Sequence, residues 1–375
     1  MSIGKMIPIS EPTLGEEEAN NVKDALQSGW ISSKGPYIHE FEMEFAKFIG
    51  VKHGISTFNG TTALHLALTS LGIGLRDNVI VPDFTFISPI NTILYTGAIP
   101  RLVDSNPVHW NMDPNKIEEQ IDKKTRAIIV VHLYGYPADL DPILKIAKDY
   151  DLSIIEDCAE SHGAMYKDKM VGSFGDISCF SFYGNKIITT GEGGMCLTNN
   201  QDLADKMEML RDHGMKPESR YWHNEVGFNY RMTNLQAAIG VAQVNKISRL
   251  IENRNKIAKL YNEGLKDIDG IILQPELHWA KSVLWLYSIL VENKNKRFSR
   301  DSLAEELLKN GIDNRRFFYP AHVMPPYKKF AEGRVFPVSE MLSQTGMNLP
   351  SSANLTGEEV TYIAETVRKL IRSNI

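Results

Sequence analysis

Cysteine is scarce in this chain: three residues in 375, Cys158, Cys179 and Cys196, with no CxxC pair among them. Such an odd, widely spaced set offers no disulfide framework and suits a reducing, cytoplasmic setting. Basic residues are in deficit, 41 against 46 acidic, for a formal net charge of −5. That balance excludes the electropositive face by which nucleic acids are held, so an anionic ligand must be caught by a local cluster of groups. Long apolar runs are missing too. No stretch approaches the ~18 residues that cross a bilayer, and Met1 to Pro12 lack the apolar segment of a secretory leader. Neither nucleic acid nor membrane is expected as a partner.

Several catalytic signatures are also absent. His53, His65, His132 and His162 follow neither HxH nor HExxH spacing, and no cysteine cluster completes a site, so no metal is expected. There is no GxSxG nucleophile elbow, and no GxGxxG fingerprint follows the first strand.

What is present is a regular alternation. Apolar, β-branched runs at Val79–Val81, Ile99–Val103, Ala127–Val131 and Ser153–Ile155 read as buried strands. Helical patterns such as Thr62–Leu71 and Pro142–Tyr150 separate them. This order predicts an α/β fold with a mostly parallel sheet covered on both faces, and ligands at the carboxyl ends of its strands. Upstream, Thr13 and Glu16 read as a capping box opening a helix that stops at Gly29. Trp30–Tyr37 reads as a loop, and a second helix follows around Phe41 to Ile49. From Asn234 a helical pattern persists for many turns and joins a large domain, 1–245, to a smaller C-terminal α/β domain, 246–375.

Four constellations can carry chemistry. Asn59-Gly60-Thr61-Thr62 leads straight into an apolar helix, which makes it either a simple N-cap or a phosphate site. Glu156, Asp157 and Glu160 crowd the end of an apolar strand; either Asp157 faces a cation in a cleft, or these acids are solvated. Lys186 follows the strand-like Phe180-Ser181-Phe182, and Gly191, Gly193 and Gly194 come next. A desolvated lysine there is a nucleophile, an exposed one merely solvated. Finally, Arg220-Tyr221-Trp222-His223 and Asn229-Tyr230-Arg231 interleave aromatics with cations, as a ligand part ring and part phosphate requires, or as an interface would.

The ordered motifs SGWISSKG, NGTTALHLAL, PDFTFIS, VVHLYGYPAD, IIEDCAESHGA, GDISCFSFYGNKIITTGEGGM and NYRMTNLQAAIG resemble the DegT/DnrJ/EryC1/StrS family of sugar aminotransferases, in order from about Ile7 to the C-terminus. The resemblance implies an aspartate-aminotransferase-like fold (fold type I), a large domain with a smaller C-terminal one. It also implies pyridoxal 5'-phosphate as cofactor, with pyridoxamine phosphate as its aminated form. Lys186 would bond to the cofactor and then move the proton. Asp157 would hold the ring nitrogen protonated, Phe86 would stack on the ring, and Glu160 would approach its hydroxyl. Thr61, Thr62 and Ser181 would grip the phosphate, joined by Asn234 from the second subunit of a homodimer with shared active sites.

Narrower motifs, SSKGPYI, RYWHNEVGFNYRMTN, RFFYPAHVMPPY and MNLPS, resemble a branch that uses L-glutamate to aminate a GDP-linked 4-keto-6-deoxy-mannose. Other branches take UDP- or dTDP-linked 4-keto sugars, or 3-keto sugars. Trp30, Ser33, Tyr183, Tyr221, Trp222, His223, Arg231, Phe317 and Tyr319 would then surround the nucleotide-linked keto sugar. A sugar 3-dehydratase on the same scaffold carries histidine where this chain has Lys186. A non-catalytic, cofactor-binding regulatory relative that binds DNA carries an added helix-turn-helix domain, for which no segment is expected here, and the net charge is acidic.

Overall fold

A computed structural model describes residues 6–216, 218–292 and 298–373. The central sheet contains β1 (His53–Thr57), β2 (Asn78–Pro82), β3 (Ile99–Val103), β4 (Thr125–Val131) and β5 (Ser153–Asp157). Two short strands, β6 (Met165–Tyr166) and β7 (Lys169–Met170), intervene before β8 (Ile177–Ser181) and β9 (Gly194–Thr198) complete it. The order across the sheet is β1-β9-β8-β5-β4-β2-β3. β9 pairs antiparallel with both its neighbours, and the other pairings are parallel. The carboxyl ends of β1, β5 and β8 therefore open on the same edge.

Successive residues of a strand face opposite sides, and here each side is apolar. Ile128, Val130 and Ile154 join one core with Phe41, Phe45 and Ile143. Ala127, Ile129 and Ile155 join the other with Leu64, Ile90 and Met207. The covering helices are α1 (Glu16–Ser28), α2 (Pro36–Ile49), α3 (Gly60–Ser70), α4 (Ser88–Tyr95), α5 (Leu140–Asp149) and α6 (Gln201–Arg211). Each of the four strands expected above lies within two residues of its observed bounds.

Two N-terminal expectations need correction. α1 starts at Glu16, but its cap is Gly15, whose N–H donates to Glu18 Oε2 at 2.8 Å. The Thr13 hydroxyl instead reaches Asn354. α2 starts at Pro36, five residues before Phe41, because proline's fixed φ suits a first helical turn that needs no N–H.

The long helix α7 (Asn234–Leu265) begins where expected, with Thr233 as its cap. Ala237, Val241, Ile247 and Leu250 belong to the core under the central sheet. Ile257, Ala258, Tyr261 and Leu265 belong to a separate C-terminal core. That second core lies against an antiparallel sheet ordered β10-β12-β14-β13. Its strands are β10 (Ile271–Leu273), β12 (Tyr287–Val291), β13 (Arg315–Arg316) and β14 (Gly346–Leu349), with β11 (Ala280–Lys281) pairing instead with β6. The helices α8 (Arg300–Lys309), α9 (Pro337–Thr345) and α10 (Gly357–Arg372) complete the chain. We propose to divide the chain within α7, between Leu250 and Ile257, slightly beyond the 245/246 boundary expected above. Trp285, Phe317 and Leu342 return to the large core, so the C-terminal part also reaches the central sheet.

Candidate active site

A cavity of about 380 Å³ opens at the carboxyl ends of β1, β5 and β8. Thr61, Phe86, Asp157, Glu160, Ser181, Tyr183 and Lys186 of the expected set line it. Its walls also include Asn59, Gly60, Thr85, Asn185, Trp285, Arg315 and Phe318.

The start of α3 forms one end. Asn59 Oδ1 accepts from the Thr62 N–H at 2.9 Å, and Thr62 Oγ1 donates to the Asn59 carbonyl. The cap thus consumes Thr62, and helix geometry leaves the Gly60 and Thr61 N–H groups as free donors for an anion. A Cβ at position 60 would lie 2.8 Å from the Ser181 Cβ, so only glycine lets the helix start approach the Ser181 hydroxyl this closely.

Asp157 and Lys186 face the middle of the cavity. Asp157 ends β5, is 6% exposed and accepts from the Ala159 N–H at 3.0 Å. Burial raises its pKa, against the opposing pull of Lys186 and His132. Lys186 reverses these signs: desolvation lowers its pKa while Glu160 and Asp157 oppose. Its Nζ stands 3.9 Å from Glu160 Oε1 and 3.7 Å from the centre of the Trp285 ring. Glu160 accepts from the Tyr134 N–H at 2.7 Å, and burial pushes its carboxyl up to about 7. Tyr134 holds that N–H in place from a left-handed backbone conformation, φ 53°.

Beneath Asp157 lies a buried brace. Glu156 accepts from the N–H groups of Gly172, Phe174 and Gly175 and contacts His132 Nε2 at 3.1 Å. His132 Nδ1 accepts from the Ala138 N–H, so its proton sits on Nε2 and points at Glu156. His132, Glu156 and Cys158 form the one cluster of metal-ligand type among the described residues. Glu156 already takes four hydrogen bonds, which fits a structural role.

The remaining candidates are scattered. Tyr319, 67% exposed, lines a shallow groove beside the cavity. Ser33 and Arg231 line a separate cavity of about 370 Å³, where Arg231 pairs with Asp212 at 2.7 Å. Trp30, Tyr221, Trp222 and His223 are exposed and line neither. Two further candidates are buried. Phe317 is 3% exposed, packs against Trp110 and Tyr134, and lines the same shallow groove as Tyr319. Asn234 has no exposure: its side chain donates to the Trp30 carbonyl and accepts from the Tyr37 N–H, which ties down the Trp30–Tyr37 loop of its own chain.

The donor set fits pyridoxal phosphate. One end offers a phosphate cradle, the middle a carboxylate and an amine, and the walls the aromatic faces of Phe86, Trp285 and Phe318. Thr85 Oγ1 and Asn185 Oδ1 are buried on this wall without a hydrogen-bond partner, as polar atoms awaiting a ligand would be.

This fold and cavity define the class: a pyridoxal-phosphate-dependent enzyme of fold type I. More narrowly, the chain belongs to the DegT/DnrJ/EryC1/StrS aminotransferase family, whose model matches residues 12–368. It is 43% identical to the GDP-perosamine synthase of Caulobacter vibrioides and 44% identical to that of Escherichia coli O157:H7. Each alignment covers 97% of this chain and 98% of the relative. The enzyme of that name from Vibrio cholerae is 41% identical over the same shares. Among solved structures, Helicobacter pylori PseC, an aminotransferase of pseudoaminic acid biosynthesis, superposes with a TM-score of 0.93 at 30% identity. That match covers 98% of this chain and all of PseC. Streptococcus pneumoniae Spr1654, solved in a PLP form, gives 0.91 at 28% identity, covering 99% of this chain and 100% of its own.

Proposed function

We propose that this chain moves the amino group of L-glutamate onto C4 of GDP-4-keto-6-deoxy-mannose, yielding GDP-perosamine and 2-oxoglutarate. The observation that carries this reading is the near full-length identity of 41–44% to three GDP-perosamine synthases. A lysine at position 186, inside the cavity, disfavours the dehydratase branch.

When bound, pyridoxal phosphate supplies an electron sink for carbanionic charge at the reacting carbon. The protein's own groups do the rest. Gly60, Thr61 and Ser181 would hold the phosphate. Asp157 would keep the ring nitrogen protonated; a carboxylate about 4 Å from a cationic nitrogen gains roughly 4 kcal/mol at an effective dielectric of 20, before desolvation is counted. Phe86 would pack against the ring. Lys186, whose desolvation favours the neutral amine, would take the proton from the donor carbon and return it at the other end of the transfer. Glu160, titrating near neutrality, sits beside that amine to take up or release a proton.

A homodimer with shared active sites belongs to the same reading, as does a cytoplasmic location. Trp30, Tyr221 and Trp222, each more than half exposed, are the kind of apolar surface that a second subunit covers. The three cysteines are free and buried. Among the described residues no helix is long and apolar enough to cross a membrane.

The test is a glutamate-dependent assay across GDP-, UDP- and dTDP-linked 4-keto-6-deoxy sugars. Production of 2-oxoglutarate with the GDP-mannose derivative at a kcat/KM at least about tenfold above the others supports the assignment. A preference for a UDP- or dTDP-linked sugar overturns it.

A further inference from the structure

Arg315 and Arg316 are adjacent on β13, and neighbours on a strand project to opposite faces. Arg316 turns outward, its Nε 3.0 Å from Asp301 Oδ1. Arg315 turns inward and lines the deep cavity with Lys186, Asp157 and Glu160. It also lines the shallow groove of about 590 Å³ alongside. Thr85, Phe86, Arg315 and Phe318 are common to both spaces, so cavity and groove meet at this arginine.

The guanidinium of Arg315 is half-buried and, among the described residues, has neither an acid nor a carbonyl as partner. The cavity acids are otherwise engaged. Glu160 accepts from the Tyr134 N–H and faces Lys186, while Asp157 accepts from the Ala159 N–H. Glu192, also on the cavity wall, and the exposed Glu305 in the groove form no ion pair with it either. A fork of five N–H donors held without an acceptor, where cavity and groove meet, is matched by a carboxylate or a phosphate.

We propose that Arg315 is the receptor for an oxyanion of the substrates, either a carboxylate of the amino donor or the diphosphate of the nucleotide sugar. It thereby selects which molecules reach Lys186. The proposal rests on the aminotransferase reading above. Both candidate anions belong to molecules that must place a reacting atom at the Lys186 amine while their charged part lies nearer the cavity mouth. The positive charge of Arg315 already bears on this site, opposing protonation of both Lys186 and Glu160. An incoming anion would relieve that effect as it binds.

The test uses cofactor-loaded enzyme and separates the two half-reactions by stopped-flow absorbance: glutamate on the pyridoxal form, and GDP-4-keto-6-deoxy-mannose on the aminated form. Calorimetric titration with glutarate and with GDP gives binding constants independent of turnover. Arg315→Gln is expected to weaken one arm at least about tenfold, the scale of a lost charge-assisted contact, with the limiting rate changed far less. Arg315→Lys, which keeps the charge but not the fork, should fall between parent and Arg315→Gln. Loss with glutamate and glutarate assigns a carboxylate; loss with the sugar nucleotide and GDP assigns the diphosphate. If both arms stay within about twofold of the parent, or only the limiting rate falls, the proposal is overturned. Unchanged cofactor absorbance and melting temperature show that the variant is folded. A parent enzyme that does not respond to glutamate at all would instead overturn the aminotransferase reading beneath it.

Discussion

The amine of Lys186 rests 3.7 Å from the centre of the Trp285 ring, and the indole N–H of Trp285 donates to the carbonyl of Asn185 at 2.7 Å. One tryptophan from the C-terminal part of the chain thus supports both the lysine and the backbone that presents it. Trp285→Phe keeps an aromatic face and drops the hydrogen bond. It is expected to cost about 1 kcal/mol of stability, read by chemical denaturation, since Asn185 retains the Ser10 hydroxyl as a second donor.

Lys186→Ala removes the amine and nothing that holds the core. Transamination should fall below detection while circular dichroism stays that of the parent. In the parent, borohydride should leave the cofactor attached to a peptide containing Lys186; attachment to another lysine would refute the assignment.

Asp157→Asn should lower kcat/KM by roughly three orders of magnitude, the rate equivalent of ~4 kcal/mol of lost charge stabilisation. Steady-state kinetics with saturating cofactor measure this. Near-normal turnover would remove Asp157 from its role.

Gly60→Ala puts a Cβ where 2.8 Å separates it from Ser181. Overpacking of this kind costs about 1–3 kcal/mol, here charged largely to the phosphate cradle. The variant should fold but release cofactor on dialysis at about tenfold lower free cofactor dilution than the parent, followed by absorbance. Equal retention would mean that the cradle is not the phosphate site.

Glu160 has a carboxyl whose folded pKa, about 7, exceeds its ordinary value because of burial. Between about pH 4.5 and 7 the folded state therefore binds more protons than the unfolded chain, and this group's contribution to stability falls as pH rises through that window. Glu160→Gln cannot titrate. Its melting temperature relative to the parent should rise from pH 4.5 to 7 and level off above, which thermal melts across that range will reveal.

Strands β2, β3, β4 and β5 of the central sheet were legible because short β-branched runs between polar turns carry their own signal; β1 and β9, with glycine and polar residues among their five positions, do not. Asp157 and Lys186 were legible too, each at the end of such a run. The helix start at Asn59 was read as either a cap or a phosphate site, and the two are compatible: the Asn59 side chain consumes the Thr62 N–H and leaves those of Gly60 and Thr61 to other acceptors. Asn234 and Phe317 could not be placed from local pattern, because only tertiary packing buries them. Trp285 and Arg315 were missed for a related reason. Trp285 lies just before β12 and Arg315 on β13, about a hundred residues or more beyond Lys186, and no spacing rule links them. One local signal existed for Arg315: two successive arginines on a strand cannot both face water if one side of that strand is covered.

Helix α7 has its first half embedded in one apolar core and its second half in another. Such an arrangement makes the two halves of the molecule share one fate under heat or denaturant. Melting either core strips half the partners from a single 32-residue rod and withdraws support from the other. A single sharp calorimetric transition is therefore built into the chain, and a proline inserted near the middle of that rod would split it in two.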